Sequence, residues 1–429
     1  MGTNRKRKDS DRNRAPGWRV LVAPALVVLA GVGLLGYLAV SRDSLATRAD
    51  AAADQWQRTY WNKPIPPQGP APAGYLEYAQ PIGPADCGVC HAVQYRDWQG
   101  SLHARAMGPG VAGQFPTMGF AETTSCLECH APLAEQWAQI PAPGGVLAPN
   151  PAYQPALRDK GLTCAACHLR GHQRHGPPLR PGREPVSQAV HGEAVRTPFF
   201  EASEFCKGCH QHGPDKVRPG GKPVENTYQE WLESPYAARG VTCQECHMPD
   251  RAHRWRGIHD AEMTRSGVTI RAEVTPEPVR AGAGVRAELT LTNTGTGHAF
   301  PTYTTPAVFL RAAFLDASGQ VLPGDNFAET IIQRRLDMTV SPWGEEFDTR
   351  VLPGRSAGLT FARRVPPGAR TLYLWVWVEP DHFYTGFYAA RLQNGADFPG
   401  ADRLRQAWEQ SLENRYLLFS RRIPVAPAP

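Results

Sequence analysis

The chain has 429 residues, 41% of them hydrophobic and 20% charged. That length supports two or more domains, and the balance is globular, which excludes a low-complexity or disordered chain. The net charge of +6 is modest and much of it lies in the first twenty residues. With no basic stripe interleaved with aromatics, nucleic-acid binding is excluded as well.

The first 19 residues form a basic tail, with "RKRK", Arg12, Arg14 and Arg19. Val20 to Ser41 then runs 22 residues without a charge. As a helix it rises about 33 Å, enough to cross a bilayer core. The basic flank places the N-terminus in the cytoplasm. Residues 20–41 are therefore expected to be a retained single-pass anchor in a bacterial inner membrane, with the remainder periplasmic. The alternative is a signal peptide cleaved near "AVS", with an unusually long apolar region. Residues 42–86 are expected to hold a helix (44–60) followed by a Pro- and Gly-rich linker that stands the rest off the membrane.

All ten cysteines fall in one repeated pattern. It reads Cys87-x-x-Cys90-His91, Cys126-x-x-Cys129-His130, Cys164-x-x-Cys167-His168, Cys206-x-x-Cys209-His210 and Cys243-x-x-Cys246-His247. Two thiols three positions apart can each form a thioether to one haem, and the following His lies beneath the iron. A redox dithiol or a zinc knuckle does not need a His after every pair. A disulfide framework does not space its cysteines in such doublets, and ten free thiols suit an oxidising compartment poorly. The motifs therefore imply five covalent haem c groups, with His91, His130, His168, His210 and His247 as proximal iron ligands. First cysteines of successive motifs lie 39, 38, 42 and 37 residues apart. So little protein per haem forces the haems to pack against one another, as rapid electron hopping requires.

Nine histidines remain, enough to supply a second ligand to every iron: His103, His172, His175, His191, His212, His253, His259, His298 and His382. His103 follows His91 in "HAVQYRDWQGSLHARAM", which reads as mostly helical. Two ligands on one helix cannot clasp both faces of one haem, so His103 is expected to reach a neighbouring one. "QYRDWQGSLHARA" echoes "TYQEWLESPYAARG"; aligned on Trp98 and Trp231, His103 corresponds to Tyr236, so one haem takes its distal ligand from elsewhere or stays open. His191 precedes Cys206, and His259 follows His247, with His253 as its alternative. His298 sits in a Gly/Thr loop, "TNTGTGHAFPTY". In "GLTCAACHLRGHQRHG", His172 and His175 both lie too soon after His168 to reach the far face of its haem. One of them is expected to cap a neighbouring iron, and His175 is carried as that candidate.

After residue 265 the pattern changes. "GVTIRAEVTP", "GVRAELTLTNTG", "AVFLRAAFLDASG", "GLTFARRVP" and "RTLYLWVWVEP" alternate apolar and polar residues, the period of antiparallel strands. Residues 401–413 read as one helix before a last strand, "RYLLFSRRIPV". The expected fold class is α+β and multidomain. It comprises a transmembrane helix, a mostly helical and looped pentahaem domain (87–265), and a C-terminal antiparallel β-sandwich of immunoglobulin-like type (266–429).

"CGVCHAVQYRDWQGSLHARAM" resembles the cytochrome c-554-like domain of nitrogen-cycle multihaem cytochromes. "CAACHLRGHQRHGP", "HGEAVRTPFFEASEFCKGCHQH" and "GVTCQECHMP" look like further parts of that group, and "TGHAFPT" is similar to a signature in the β-domain of membrane-anchored relatives. The resemblance covers residues 85–305 well. It implies a helical domain with stacked haem pairs, His103 and His191 as distal ligands, and His259 and His298 as further ones; it leaves His172 and His175 unsettled. The implied function is electron transfer between a quinol-linked membrane donor and a periplasmic or outer-membrane acceptor. The alternative is a reductase of small nitrogen or sulfur oxyanions at one open haem, since fold does not fix function. A third class is a structural or sensing module whose β-domain binds a partner.

Overall fold

The computed structural model describes residues 55–142, 146–182, 193–393, 395 and 397–428. The expected anchor at 20–41, most of the expected helix 44–60, and His191 lie outside the described residues. Among the described residues no helix is long and apolar enough to cross a membrane. The chain divides into two units, residues 1–57 and 58–429. Residues 55–57 of the first are helical; all elements that follow belong to the second.

The Pro-rich stretch read as a linker is packed into the haem-motif region as a strap. Tyr60, Trp61 and Ile65 are buried. The Tyr60 hydroxyl donates to the Cys167 carbonyl (2.7 Å) and the Trp61 indole to the Phe205 carbonyl (3.1 Å). Ile65 pairs with Leu133. The prolines hold the backbone extended, where it needs few ladder partners, and the interspersed aromatic and aliphatic side chains supply the burial that composition alone hid.

Each CxxCH motif sits on or beside a short helix. Motifs two to five close the helices Phe120–His130, Cys164–His168, Glu204–His210 and Cys243–His247. Motif one joins Pro84–Gly88 to Ala92–Gln99. Helical pitch puts the first Cys, the second Cys and the His on one face, the spacing being i, i+3, i+4. The helix after His91 stops at Gln99, short of the expected extent. Gly100 follows, and the Ser101 hydroxyl bonds back to the Trp98 carbonyl (2.7 Å) and accepts the Ala104 N–H (3.3 Å). A serine that captures backbone groups in this way competes with the helix, so His91 and His103 do not share one.

The C-terminal region contains seven long strands in two antiparallel sheets: β1 Val268–Thr275, β2 Gly284–Asn293, β3 Ala307–Leu315, β4 Phe327–Ile332, β5 Ser356–Arg364, β6 Thr371–Glu379 and β7 Tyr416–Pro424. One sheet has the order β5-β2-β1 and the other β7-β6-β3-β4. Their alternating residues meet in one core, with Leu289, Leu291, Leu310, Phe314, Phe361 and Leu374 buried. Strand β4, the hairpin Arg334–Asp337/Gly344–Asp348 and the helix His382–Gln393 were not legible in the sequence. The helix Ala401–Glu413 occupies the range expected.

Candidate haem-binding site

Three motif histidines share one preparation. Nδ1 of His130 bonds the Ala106 carbonyl (2.6 Å), that of His168 the His175 carbonyl (2.8 Å), and that of His247 the Arg256 carbonyl (2.7 Å). A carbonyl only accepts, so Nδ1 carries the proton and the Nε2 lone pair is free for a metal. His210 Nδ1 instead meets a side chain, the Tyr303 hydroxyl, at 2.6 Å. Burial pushes His168 and His210 down to about 4, so both rings stay neutral, as a metal ligand must.

Three motif histidines face a second imidazole. Ring centroids are 6.3 Å apart for His210 and His103, 6.3 Å for His247 and His298, and 6.1 Å for His168 and His253. Two metal–nitrogen bonds of about 2 Å each, plus the half-widths of two rings, span such a gap. His298 Nδ1 bonds the Ala299 carbonyl (2.9 Å) and His253 Nδ1 the Arg251 carbonyl (2.9 Å), again leaving Nε2 free. The buried Nδ1 of His103 has no partner among the described residues. Leaving it so costs about 1–3 kcal/mol in a folded protein, which a bound metal group offsets. Burial, then the nearby His210, His247 and His130, push His103 down to about 3.

Two expected distal candidates sit elsewhere. His259 gives Nε2 to the Asp381 carboxylate (2.9 Å), so His253 rather than His259 faces a motif histidine. The loop Asp250–Trp255, with positive φ at Asp250, Arg251 and Trp255, turns His253 back toward motif three. His175 stays beside its own motif: its carbonyl receives His168 Nδ1, and its ring packs on Tyr60 at 5.3 Å. His172 serves the strap, with Nε2 on the Gly69 carbonyl (2.9 Å) and its N–H on the Gln68 side chain (3.0 Å). No second ring among the described residues faces His130.

The thiols pair between motifs. Cys87 is within hydrogen-bonding reach of Cys164, Cys129 of Cys209, and Cys206 of Cys243. Cys167 also lies near Cys206 and Cys209. Lys63 from the strap reaches the Gly208 carbonyl (2.6 Å) and both Cys129 and Cys209 Sγ (3.4 and 3.3 Å). All five motifs open on one cavity of about 3450 Å³, several times the roughly 300–1,000 Å³ of an ordinary small-molecule site. The donor set, the prepared imidazoles and the shared space fit haem c.

The loop that carries His298 comes from the β-domain and is gripped by the haem region. Glu230, on the helix Thr227–Leu232, accepts the Ala299 N–H (3.1 Å), the Thr302 hydroxyl (3.0 Å) and Arg350 Nη1 (2.8 Å). The Tyr236 hydroxyl donates to the Thr294 carbonyl (3.0 Å) of the same loop.

Residues 86–169 match the family described as cytochrome c554 and c-prime. The cytochrome c nitrite reductase subunit NrfA of Nitratidesulfovibrio vulgaris is 23% identical over 146 residues, 29% of this chain and 26% of that protein, so the chain spans about a quarter of that relative's length. A penta-haem cytochrome c552 from Thermochromatium tepidum has a similar fold, with TM-score 0.54 and 20% identity over 79% of this chain and 97% of that one. Residues 86–169 thus carry a cytochrome c554-type segment, and the chain shares the fold of a penta-haem cytochrome. The five CxxCH motifs on that fold fit covalently bound haem c. Several site residues escaped the sequence reading. Tyr303 and Glu230 are ordinary residues in ordinary contexts, and only "FPTY" beside His298 hinted at Tyr303. Lys63 was hidden in the supposed linker.

Proposed function

We propose that this cytochrome carries five haem c groups, one at each CxxCH motif, and conducts electrons along them. The observation that carries this reading is the pairing of tether thiols across motifs. It supports an order one–three–four–five, with motif two joined to motif four. Haem c, once attached, supplies a one-electron iron couple at each motif. The residues of the chain would do the rest: thiols of adjacent motifs would hold neighbouring groups close together, and facing imidazoles would supply second ligands at motifs three, four and five. We assign His103 opposite His210, His298 opposite His247, and His253 opposite His168, with His191 as a further distal ligand. The 22-residue apolar segment at 20–41 supports a retained inner-membrane anchor with the haem and β-domains in the periplasm. Electrons then pass between a quinol-linked membrane donor and a soluble or outer-membrane acceptor. The three-plus-four strand order supports an immunoglobulin-like β-domain.

A second reading is favoured by one observation, the absence of a facing ring at His130 among the described residues. An iron at motif two with an open position would bind a small ligand, and the relative named a nitrite reductase suggests a nitrogen oxyanion. Electron paramagnetic resonance of the oxidised protein separates the two. Low-spin signals alone, unchanged by nitrite, support the pure carrier. One stoichiometric high-spin signal that shifts with nitrite supports a reductase and contradicts it.

A further inference from the structure

Motif three differs from the others in its charges. Motifs two, four and five hold a charged residue between their cysteines, Glu128, Lys207 and Glu245, and Asp86 precedes motif one. Motif three reads Cys164-Ala-Ala-Cys167 and has none. A charge reaches it instead from Arg170, just past its histidine. Arg170 Nη1 donates to the Ala166 carbonyl (3.0 Å) and the Leu169 carbonyl (2.6 Å), the two residues that bracket Cys167 and His168. Nε and Nη2 donate to the Tyr60 carbonyl of the strap (3.0 and 2.8 Å). The guanidinium also lies over the Tyr60 ring, 3.8 Å from its centroid, and 5.5 Å from that of Trp61. Tyr60, Trp61, Ala166 and Leu169 are all buried.

We propose that Arg170 is a fixed cation without a neutralising partner that raises the potential of the motif-three haem, and so favours electron transfer from motif one to motif three. The inference rests on the reading above, in which each motif carries a haem and the tether thiols set their order.

Every acceptor on this guanidinium is neutral, and among the described residues no carboxylate pairs with it. An arginine has five N–H groups, and four of them are spent on these carbonyls. The two parallel N–H groups that grip a carboxylate are therefore not left to a side chain or to a haem propionate. Arginine keeps its charge at any working pH. The charge is also held in place, by the strap on one side and the end of the helix Cys164–His168 on the other. The other strap cation, Lys63, bonds the Gly208 carbonyl of motif four instead. Reduction removes one unit of positive charge at an iron, so a nearby cation stabilises the reduced form, and more strongly in a partly dry interior than in water. Cys87 and Cys164, within hydrogen-bonding reach, set motifs one and three side by side. An electron that passes from one to three is held there, and its return is opposed by the same factor. Arg170 is a positioning residue, since it acts on the iron through space and not by ligation.

The test uses the full-length holoprotein. Arg170→Gln removes the charge, Arg170→Met removes it but keeps an apolar stem against Tyr60 and Trp61, and Arg170→Lys keeps the charge with fewer hydrogen bonds. Spectroelectrochemical titration with paramagnetic resonance detection should find one midpoint potential lowered in R170Q and R170M by about tenfold in the one-electron equilibrium, about 59 mV. R170K should stay near wild type, and all low-spin signals should persist in each variant. Unchanged midpoints in R170Q and R170M overturn the proposal. An equal shift in R170K overturns it too, since that would mark lost packing rather than lost charge. His253→Ala identifies the haem: it should turn one low-spin signal high-spin, and the lowered midpoint should belong to that signal. A shift confined to another signal overturns the proposal. If H253A converts no signal, the ligand assignment at motif three fails, and the contrast of R170Q with R170K still decides the charge effect.

Discussion

The segments around Trp98 and Trp231 are two copies of one device. Each Trp indole donates to the carbonyl two residues before a CxxCH: Trp98 to Leu162 (2.7 Å) and Trp231 to Val241 (2.9 Å). The carbonyl five residues after each Trp takes the N–H of that same residue, His103 from Leu162 (2.9 Å) and Tyr236 from Val241 (3.0 Å). A glycine at positive φ, Gly161 at 65° and Gly240 at 74°, precedes it in both, in the paired words "GLTC" and "GVTC". The copies differ in two ways. The first is opened by an insertion that carries motif two, so its Trp and its partner are 64 residues apart, against 10 in the second. The first also presents its own ligand-type residue, His103, whereas the second has Tyr236 and receives His298 from another domain. A copy that keeps its histidine is complete within the haem region. The copy that lost it depends on docking of the β-domain.

The largest way to break the second copy without touching the first is Glu230→Ala. It takes one of two carboxylates from the buried Arg350, which keeps Asp348, and leaves the Ala299 N–H and the Thr302 hydroxyl without their acceptor, a loss at the upper end of about 1–3 kcal/mol. Urea unfolding should show that loss, and paramagnetic resonance should show a high-spin fraction at motif five, whose His298 loop is released. Motif four, faced by His103 of the first copy, should stay low-spin; conversion there would mean the copies are not independent.

Glu225 offers a pH-dependent comparison. Its carboxyl is raised from 4.5 to about 8, first by burial and then by Cys129 and Glu230. Between those values the folded chain holds a proton that the unfolded chain has released, so stability falls as pH rises through that window. Glu225→Gln should flatten this slope in denaturant melts taken from pH 5 to 8; an undiminished slope would assign it to other groups.

Smaller effects come from the tryptophans. Trp98→Phe and Trp231→Phe each remove one hydrogen bond to a carbonyl and should each cost about 1–3 kcal/mol where the carbonyl is left buried and unpaired. W98F, in the copy closed across the insertion and with the more buried ring, should cost more. Equal costs would mean that closing the insertion adds nothing. Smallest is Tyr236→Phe, which deletes the exposed bond to Thr294 and should cost no more than about 1 kcal/mol in the same melts. A larger loss would make Tyr236 a main support of the docked loop.

What the sequence disclosed follows the physics of each signal. Covalent tethers require fixed residues at fixed spacing, so every CxxCH was legible. Strands β1, β2, β5, β6 and β7 were legible because their residues alternate between a more and a less buried face, whereas β3 is buried along nearly its whole length. Distal histidines are held by tertiary approach, which no spacing encodes; hence His253 stood behind His259 until the turn at 250–255 was seen. The stretch at 64–86 was misread because proline content signals an extended chain equally well whether that chain is free or packed. The grip of Glu230 on the His298 loop was invisible, since Glu230, Ala299, Thr302 and Arg350 acquire their meaning only from one another.

The central claim is that motif five is completed by a histidine of the β-domain. It is tested most directly by paramagnetic resonance of the oxidised full-length protein carrying His298→Ala, beside His259→Ala. The account predicts that H298A converts one low-spin haem to high-spin while H259A keeps every low-spin signal. A low-spin spectrum in H298A, or the conversion appearing in H259A instead, would contradict it.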